Sequence, residues 1–177
     1  MDDIVSVKPY NNIKAEYPST VLEIKMYERI RGGCLNSALK SALKRYPYFT
    51  YKFIEREGNF FWTEDCDNFT VTQTDKLRKL GTASAGYHFV DVTYSGCCIR
   101  IAFYHGVCDA RGIIPFARTL IWRYCCQRYN RQFASGDIRL PDSKLLEGET
   151  DTRIQIFMTR ANFLTPISKA NVLRYPL

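Results

Sequence analysis

The chain holds two histidines, His88 and His105. His105 belongs to the stretch Tyr104-His105-Gly106-Val107-Cys108-Asp109-Ala110-Arg111-Gly112, which places an aspartate four residues after the imidazole. An imidazole at a strand-to-helix junction is anchored on one side and open to a substrate on the other. A carboxylate close by can fix the loop or the ring. A general base needs that layout. The same spacing also fits a loop hydrogen bond with no chemistry attached. Cys108 offers a third reading, a thiol nucleophile served by His105, against which stands a packed and inert side chain. His88 lacks a comparable setting.

The elements around this stretch must position it. Ile99, Ile101 and Phe103 alternate with Arg100 and Ala102, which predicts a strand with one apolar face. Residues 86–104 read as a hairpin turning at Ser95-Gly96. If the outgoing strand persists to residue 105, period-two alternation puts His105 on the apolar face, where desolvation favours the neutral ring that a base requires. A helix is predicted over roughly 112–130. Its wide apolar stripe runs through Ile113, Ile114, Phe116, Ala117, Leu120, Ile121, Tyr124 and Cys125. Pro115 is expected in its first turn, so the start is placed near Gly112. Arg123, Arg128 and Arg131 fall toward its other end, where the dipole favours cations, and read as a solvated basic face.

Upstream, residues 1–20 form an irregular lead-in with Pro9, Asn11, Asn12 and Pro18. Leu22, Ile24 and Met26 alternate with polar neighbours as a half-buried strand. Leu35, Ala38, Leu39, Ala42, Leu43 and Tyr46 share one face of a helix that Pro47 stops. Lys44 and Arg45 are placed off that stripe, complementing the helix C-terminus. Tyr48 to Glu55 and Phe60 to Thr63 predict a hairpin turning at Gly58-Asn59. A short strand is expected within Phe69 to Thr74, then a polar loop over 75–85. Residues 136–177 read as a linker and a divergent tail, with one short alternating run at Ile154 to Met158.

At 177 residues, 46% hydrophobic and 14% aromatic, the chain is long enough and apolar enough for one domain with a core. No run of 18 apolar residues is present, so no membrane span is expected. Met1-Asp2-Asp3-Ile4 lacks the basic and apolar regions of a signal peptide. The seven cysteines are therefore expected as reduced thiols of a cytoplasmic protein. No Cys-x-x-Cys pair occurs, Cys97 and Cys98 are expected on opposite sheet faces, and no metal site is predicted. The net charge of +7 can attract nucleic acid, coenzyme A phosphates or an acidic carrier protein, and reads first as an ordinary solvated basic surface. It is spread without a basic run or an RNA-binding signature, so no nucleic-acid partner is expected. Neither a phosphate-binding Gly-x-x-x-x-Gly-Lys loop nor a Gly-x-Ser-x-Gly elbow appears.

His-Gly-Val-Cys-Asp followed by Arg-Gly and a helix resembles the His-x-x-x-Asp motif of the chloramphenicol acetyltransferase-like superfamily, which includes condensation domains and alcohol acetyltransferases. The run Leu-x-x-Ala-Leu through Arg45-Tyr46-Pro47-Tyr48-Phe49 is similar to the first helix of that superfamily. Two positions depart from its pattern. Tyr104 stands where many members have a second histidine, and Ala110 where many have glycine. The resemblance covers about residues 20–151, with the lobe proper over 21–135. It implies an α/β fold of mixed α+β layers, a single N-terminal lobe with a mostly antiparallel or mixed sheet and flanking helices. It implies acyl transfer from a thioester to a hydroxyl or amine. His105 would be the general base and Asp109 a structural residue holding the loop through an arginine. Gly106 and Gly112 would permit tight backbone geometry. No cofactor would be tightly bound, and acyl-CoA or acyl-pantetheine would enter as co-substrate.

In that two-lobed family the substrate channel runs between the halves, and the resemblance reaches only the first. The competing expectation is a truncated, non-catalytic half-domain that acts as an interaction module. With one half missing, the face of Ile99, Ile101 and Phe103 is expected to lack part of its cover. The chain would then self-associate or bind a complementary C-terminal lobe. The alternative is that residues 152–177 fold back over that face and give an inert monomer.

Overall fold

The computed structural model describes residues 19–56, 59–104, 107–140 and 142–143, with the backbone alone over 53–56 and 59–62. The elements in chain order are β1 (Thr20–Lys25), α1 (Gly32–Leu43), a 3₁₀ turn (Pro47–Thr50), β2 (Tyr51–Arg56), β3 (Asn59–Glu64), β4 (Thr72–Gln73), a 3₁₀ turn (Ala83–Ala85), β5 (Val90–Ser95), β6 (Cys98–Phe103) and α2 (Ala110–Arg128). A four-stranded sheet runs β1-β6-β5-β4, and β2-β3 forms a hairpin of its own. The only parallel pair among the described strands is the two-residue β4 on β5; the rest are antiparallel. The expected mixed α+β lobe, with a mixed sheet and flanking helices, is what the chain forms.

Alternation along the strands builds the core. Leu22 and Ile24 of β1, Val90 and Val92 of β5, and Ile99, Ile101 and Phe103 of β6 are all buried on one side of the sheet. Leu35, Ala38, Leu39, Ala42 and Leu43 of α1 and Ile113, Phe116, Ala117, Leu120 and Tyr124 of α2 join them in one cluster. Burying each large side chain stabilises the fold by roughly 1.5–3 kcal/mol. The expectation of a β6 face lacking part of its cover is corrected here. Ile99 and Ile101 are 0% exposed and Phe103 2%, because α1 and α2 of the same lobe close the face.

The opposite side of the sheet is polar and carries ion pairs. Arg100 Nε donates to Glu23 Oε2 at 3.1 Å, across a directly opposed β1–β6 position. Arg78 reaches over from the loop to grip Asp91 with two donors, Nε lying 2.9 Å from Oδ2. Leu80 and Ala85 of the same loop cover Ala102.

The two helices are tied at both ends. Arg31 N donates to Tyr124 Oη at 3.1 Å, and the Tyr46 hydroxyl meets Thr119 Oγ1 at 3.4 Å. The rings of Tyr46 and Phe49 pack edge-on against Phe116, with centroids 5.8 and 5.0 Å away. These contacts explain why α1 ends at Leu43, three residues before the point expected from Pro47. Proline disfavours the helical region for the residue before it, and Tyr46, at φ −129°, turns into the core. Pro47 opens the 3₁₀ turn instead, which takes the first residues of the predicted strand and delays β2 to Tyr51. Arg45, read as a surface cation, is 2% exposed, with Nε donating to Ser143 Oγ at 3.1 Å.

Other boundaries also move. The strand expected in 69–74 shrinks to Thr72–Gln73. The β2–β3 register closes at Arg56 and Asn59; Gly58 of the expected turn lies outside the described residues. The β5–β6 hairpin turns at Gly96-Cys97, with Gly96 at φ +57°. Cys97 is therefore an exposed turn residue, not a strand residue facing opposite Cys98. Residues 136–140, read as the start of a linker, run back along α2. Thr119 Oγ1 donates to the Arg139 carbonyl at 2.7 Å, and Arg118 pairs with Asp137. Arg128 is mostly covered and paired with Glu28, and the Arg131 guanidinium lies over Phe133. Arg131 is exposed, as expected of a solvated basic face, and Arg128 departs from that expectation. Residues 152–177, with the alternating run at 154–158, lie outside the described residues.

Gly32 and Gly33 open α1 in different surroundings. A Cβ on Gly32 would sit 2.0 Å from Tyr94 Oη, whereas Gly33 has open space around it. Gly32→Ala is expected to push the Tyr94 ring aside and destabilise the fold by about 1–3 kcal/mol. Gly33→Ala is expected to be neutral or to stabilise by about 0.5–1 kcal/mol, through helix propensity. Denaturant midpoints of the two variants check the contrast, and equal midpoints contradict it.

Candidate functional site

β6 delivers the motif. It is one of the two interior strands, paired with β1 on one side and β5 on the other, and it ends at Phe103. It does not persist to residue 105, so the alternation argument for the direction of the imidazole stops two residues short. His105 and Gly106 lie outside the described residues, but the chain on both sides of them is well defined. Tyr104 N donates to the Phe89 carbonyl at 2.9 Å, and the two rings are 5.8 Å apart. Val107 N donates to the Tyr104 carbonyl at 2.9 Å, so a hydrogen bond closes across the two positions. Val107 and Cys108 are half-buried against the core cluster.

Asp109 is the N-cap of α2. Its backbone is extended, at φ −93° and ψ −176°, and its Oδ1 accepts from Gly112 N at 2.8 Å. The cap satisfies one of the free amides that begin every helix, and its charge suits the positive end of the dipole. It also explains why α2 starts at Ala110 and not near Gly112. Pro115 consequently lies inside the helix, beyond its first turn. Its missing N–H deprives the Arg111 carbonyl of an intrahelical donor, while its own carbonyl accepts from Thr119 Oγ1 at 3.0 Å.

The arginine partner expected for Asp109 is not found among the described residues. Asp109 is exposed, and its anchor there is the helix backbone. Gly112 packs closely in turn: a Cβ at this position would meet Cys108 Cβ at 3.1 Å.

The Cys108 thiol does not suit nucleophilic work. Burial pushes it up to about 12, and the neighbouring Asp109 carboxylate adds to the effect. The reactive species is the thiolate, which is negligible at neutral pH for such a group. Among the described residues no three His, Cys, Asp or Glu side chains converge to hold a metal, and all seven cysteines are free thiols. No helix among them is long and apolar enough to cross a membrane.

Sequence reasoning passed over His88, which is 3% exposed. Its Nδ1 lies 2.9 Å from the Thr50 carbonyl, and its ring packs edge-on to Phe69 at 4.7 Å. Burial holds its pKa below the ordinary histidine value; the Thr50 hydrogen bond and the Asp65 carboxylate oppose that shift without cancelling it. One signal was available, since residues 88, 90 and 92 share a strand parity and Val90 and Val92 are core. The Arg78–Asp91 pair had no local signal, because its members meet only when the loop folds over the sheet.

No protein-family model matches the chain, and no curated protein matches its sequence. Its fold does match solved structures. Polyketide synthase associated protein 5 from Mycobacterium tuberculosis aligns at a TM-score of 0.53 and 14% identity, over 82% of this chain and 36% of that one. The starter condensation domain of rhizomide synthetase RzmA aligns at 0.52 and 12% identity, over 76% and 40%. The epimerization domain from the third module of tyrocidine synthetase B aligns at 0.50 and 12% identity, over 81% and 38%. A mutant of the rhizomide domain in complex with C8-CoA aligns at 0.53 and 8% identity, over 75% and 37%. The chain thus spans between 36 and 40% of the length of these proteins. It has the chloramphenicol acetyltransferase-like fold of condensation domains, over less than half of the length of those domains.

Proposed function

We propose that the chain is an acyltransferase-type half-domain, whose reaction would pass an acyl group from a CoA or carrier-bound thioester to a hydroxyl or amine. The observation that carries this reading is a coincidence of motif and fold. In a lobe with the condensation-domain fold, the His-x-x-x-Asp stretch falls at the exit of the interior strand β6 and runs into a helix capped by its own aspartate. His105 is the assigned general base. It would take the proton of the acceptor as the acceptor attacks the thioester carbon, and the thiol would leave. Asp109 is assigned to the cap, and Gly106 and Gly112 to the turn geometry around it. The complex of a neighbour with C8-CoA supports acyl-CoA as a donor to try first. On this reading the channel needs a complementary lobe, and the isolated chain turns over slowly or not at all.

A second reading is a non-catalytic half-domain. It is favoured by one observation: α1 and α2 already close the apolar face of the sheet, so the lobe completes its core without a partner.

His105→Ala is expected to lower acyl-CoA-dependent thiol release by about two to four orders of magnitude in any preparation that turns over, with an unchanged circular dichroism spectrum. Equal rates would remove His105 from the chemistry. Size measurement across a dilution series, with turnover assayed in parallel, tests the need for a second lobe. A strict monomer with robust turnover would show that one lobe suffices.

Asp109→Asn is expected to leave the melting temperature nearly unchanged, because asparagine caps as well as aspartate. Asp109→Ala should destabilise the fold by about 1 kcal/mol. An Asn variant that keeps its melting temperature but loses activity would instead assign the carboxylate a direct part in the reaction.

A further inference from the structure

His88 stands where the two sheets meet. Its backbone forms the isolated antiparallel bridge to Lys52 of β2, and its ring nitrogen Nδ1 meets the carbonyl of Thr50, just before β2. On the other side, Gly81 N donates to the His88 carbonyl at 2.8 Å. The next residue, Phe89, holds Tyr104 and with it the entrance to the motif. One residue thus ties the β2–β3 hairpin, the 75–87 loop and the end of β6 together.

The tautomer follows from the partner. A carbonyl oxygen only accepts, so Nδ1 carries the hydrogen and a neutral ring leaves Nε2 bare. Nε2 is buried and has no hydrogen-bond partner among the described residues. It lies on the side of Gly86, where a cavity of about 50 Å³ is lined by Asn68, Thr70, Arg78, Asp91 and His88, among others. Asn68, Thr70 and Gly86 are exposed, so a proton can reach Nε2 by way of this cavity. A second N–H would then lie at a cavity that Arg78 and Asp91 also line.

We propose that His88 is a proton-sensitive pin between the two sheets, locking the hairpin to the body of the lobe when neutral and releasing it when protonated. The charged groups facing the ring are Lys52 of β2, Asp65 after β3, Asp91 of β5 and Arg78 of the loop. Lys52 pairs with Asp65, and Asp91 with Arg78. Both carboxylates are thus shared with another cation, and their pull on an imidazolium does not outweigh the cost of burying it. The direction follows from linkage. The folded ring binds its proton less readily than the unfolded one, so the contribution is present above the ordinary value of 6.5 and is lost as pH falls through the lower folded value. Protonation leaves the Nδ1–H bond to Thr50 in place but puts a charge in a site where burial disfavours it, so acid shifts the equilibrium toward states in which the ring leaves the junction.

Having only two histidines makes the test direct. Long-range proton–nitrogen spectra of the full chain should show His88 as the Nδ1–H tautomer, titrating below the ordinary range. Amide-exchange protection at Lys52 and Tyr104, corrected for intrinsic rates, should fall between pH 7 and pH 5. His88→Asn keeps a donor in the Nδ1 position and cannot titrate, so it should hold that protection constant across the same interval. An Nε2–H tautomer, an ordinary titration, or protection in the wild type that ignores pH would overturn the proposal. So would an Asn variant that repeats the pH response of the wild type. If the Asn variant does not fold, the titration and exchange of the wild type decide the matter alone. None of these readouts needs acyl transfer, so the pin and the function proposed for His105 stand or fall separately.

Discussion

The pairing of β6 on both its edges organises this molecule. Six register positions tie it to β1 and six to β5, which fixes the direction of every side chain on three strands at once. A one-residue slip would turn Ile99, Ile101 and Phe103 outward and Arg100 and Ala102 inward. The hydrophobic free energy of the face therefore enforces the register, and the register in turn decides where the chain leaves the sheet. Phe103 is the last paired residue, Tyr104 makes one more bond to Phe89, and the motif begins immediately after. Its position is thus set by the core and not by the loop itself.

The helices complete this arrangement by two different means. α1 contributes a plain apolar stripe and is pinned through Tyr124 and Thr119. α2 begins at its own aspartate cap and buries Ile113 and Phe116 one turn later. Cap and core contacts lie so close together in the chain that the loop before them has little slack. Cys108 is held against Gly112 for the same reason. An exposed carboxylate can position a loop in this way because the group it satisfies is the helix backbone, which cannot move without the core.

Polar groups carry the remaining architecture. The far side of the sheet is stabilised by paired charges, with Asp91 nearly buried and gripped by two Arg78 donors. Breaking such a pair by removing one partner is costly, about 3–5 kcal/mol, because the other charge is left buried. Arg45 is likewise enclosed, and the segment to Ser143 closes over it. These groups tie loops and a strap to the two-layer core where apolar contact is thin.

Local pattern determined much of the fold and the place of the candidate site. The alternation of Leu22 and Ile24, and of Ile99, Ile101 and Phe103, specified β1 and β6. The three- and four-residue steps from Leu35 to Leu43 and from Ile113 to Tyr124 specified the faces of the helices. Those periods are properties of the backbone and need no partner to be read. The order of elements around His105 and Asp109 was legible for the same reason, while the resemblance in fold rested on the motif residues themselves. Tertiary structure alone decided what covers the β6 face, because a stripe says that something must bury it but not which element does. It also decided the burial of Arg45 and His88, the grip of Arg78 on Asp91, and the role of Asp109 as an exposed cap. Each of these depends on groups that meet through space, or on a helix start that is set by packing and capping together, and single-chain periodicity carries no information about either.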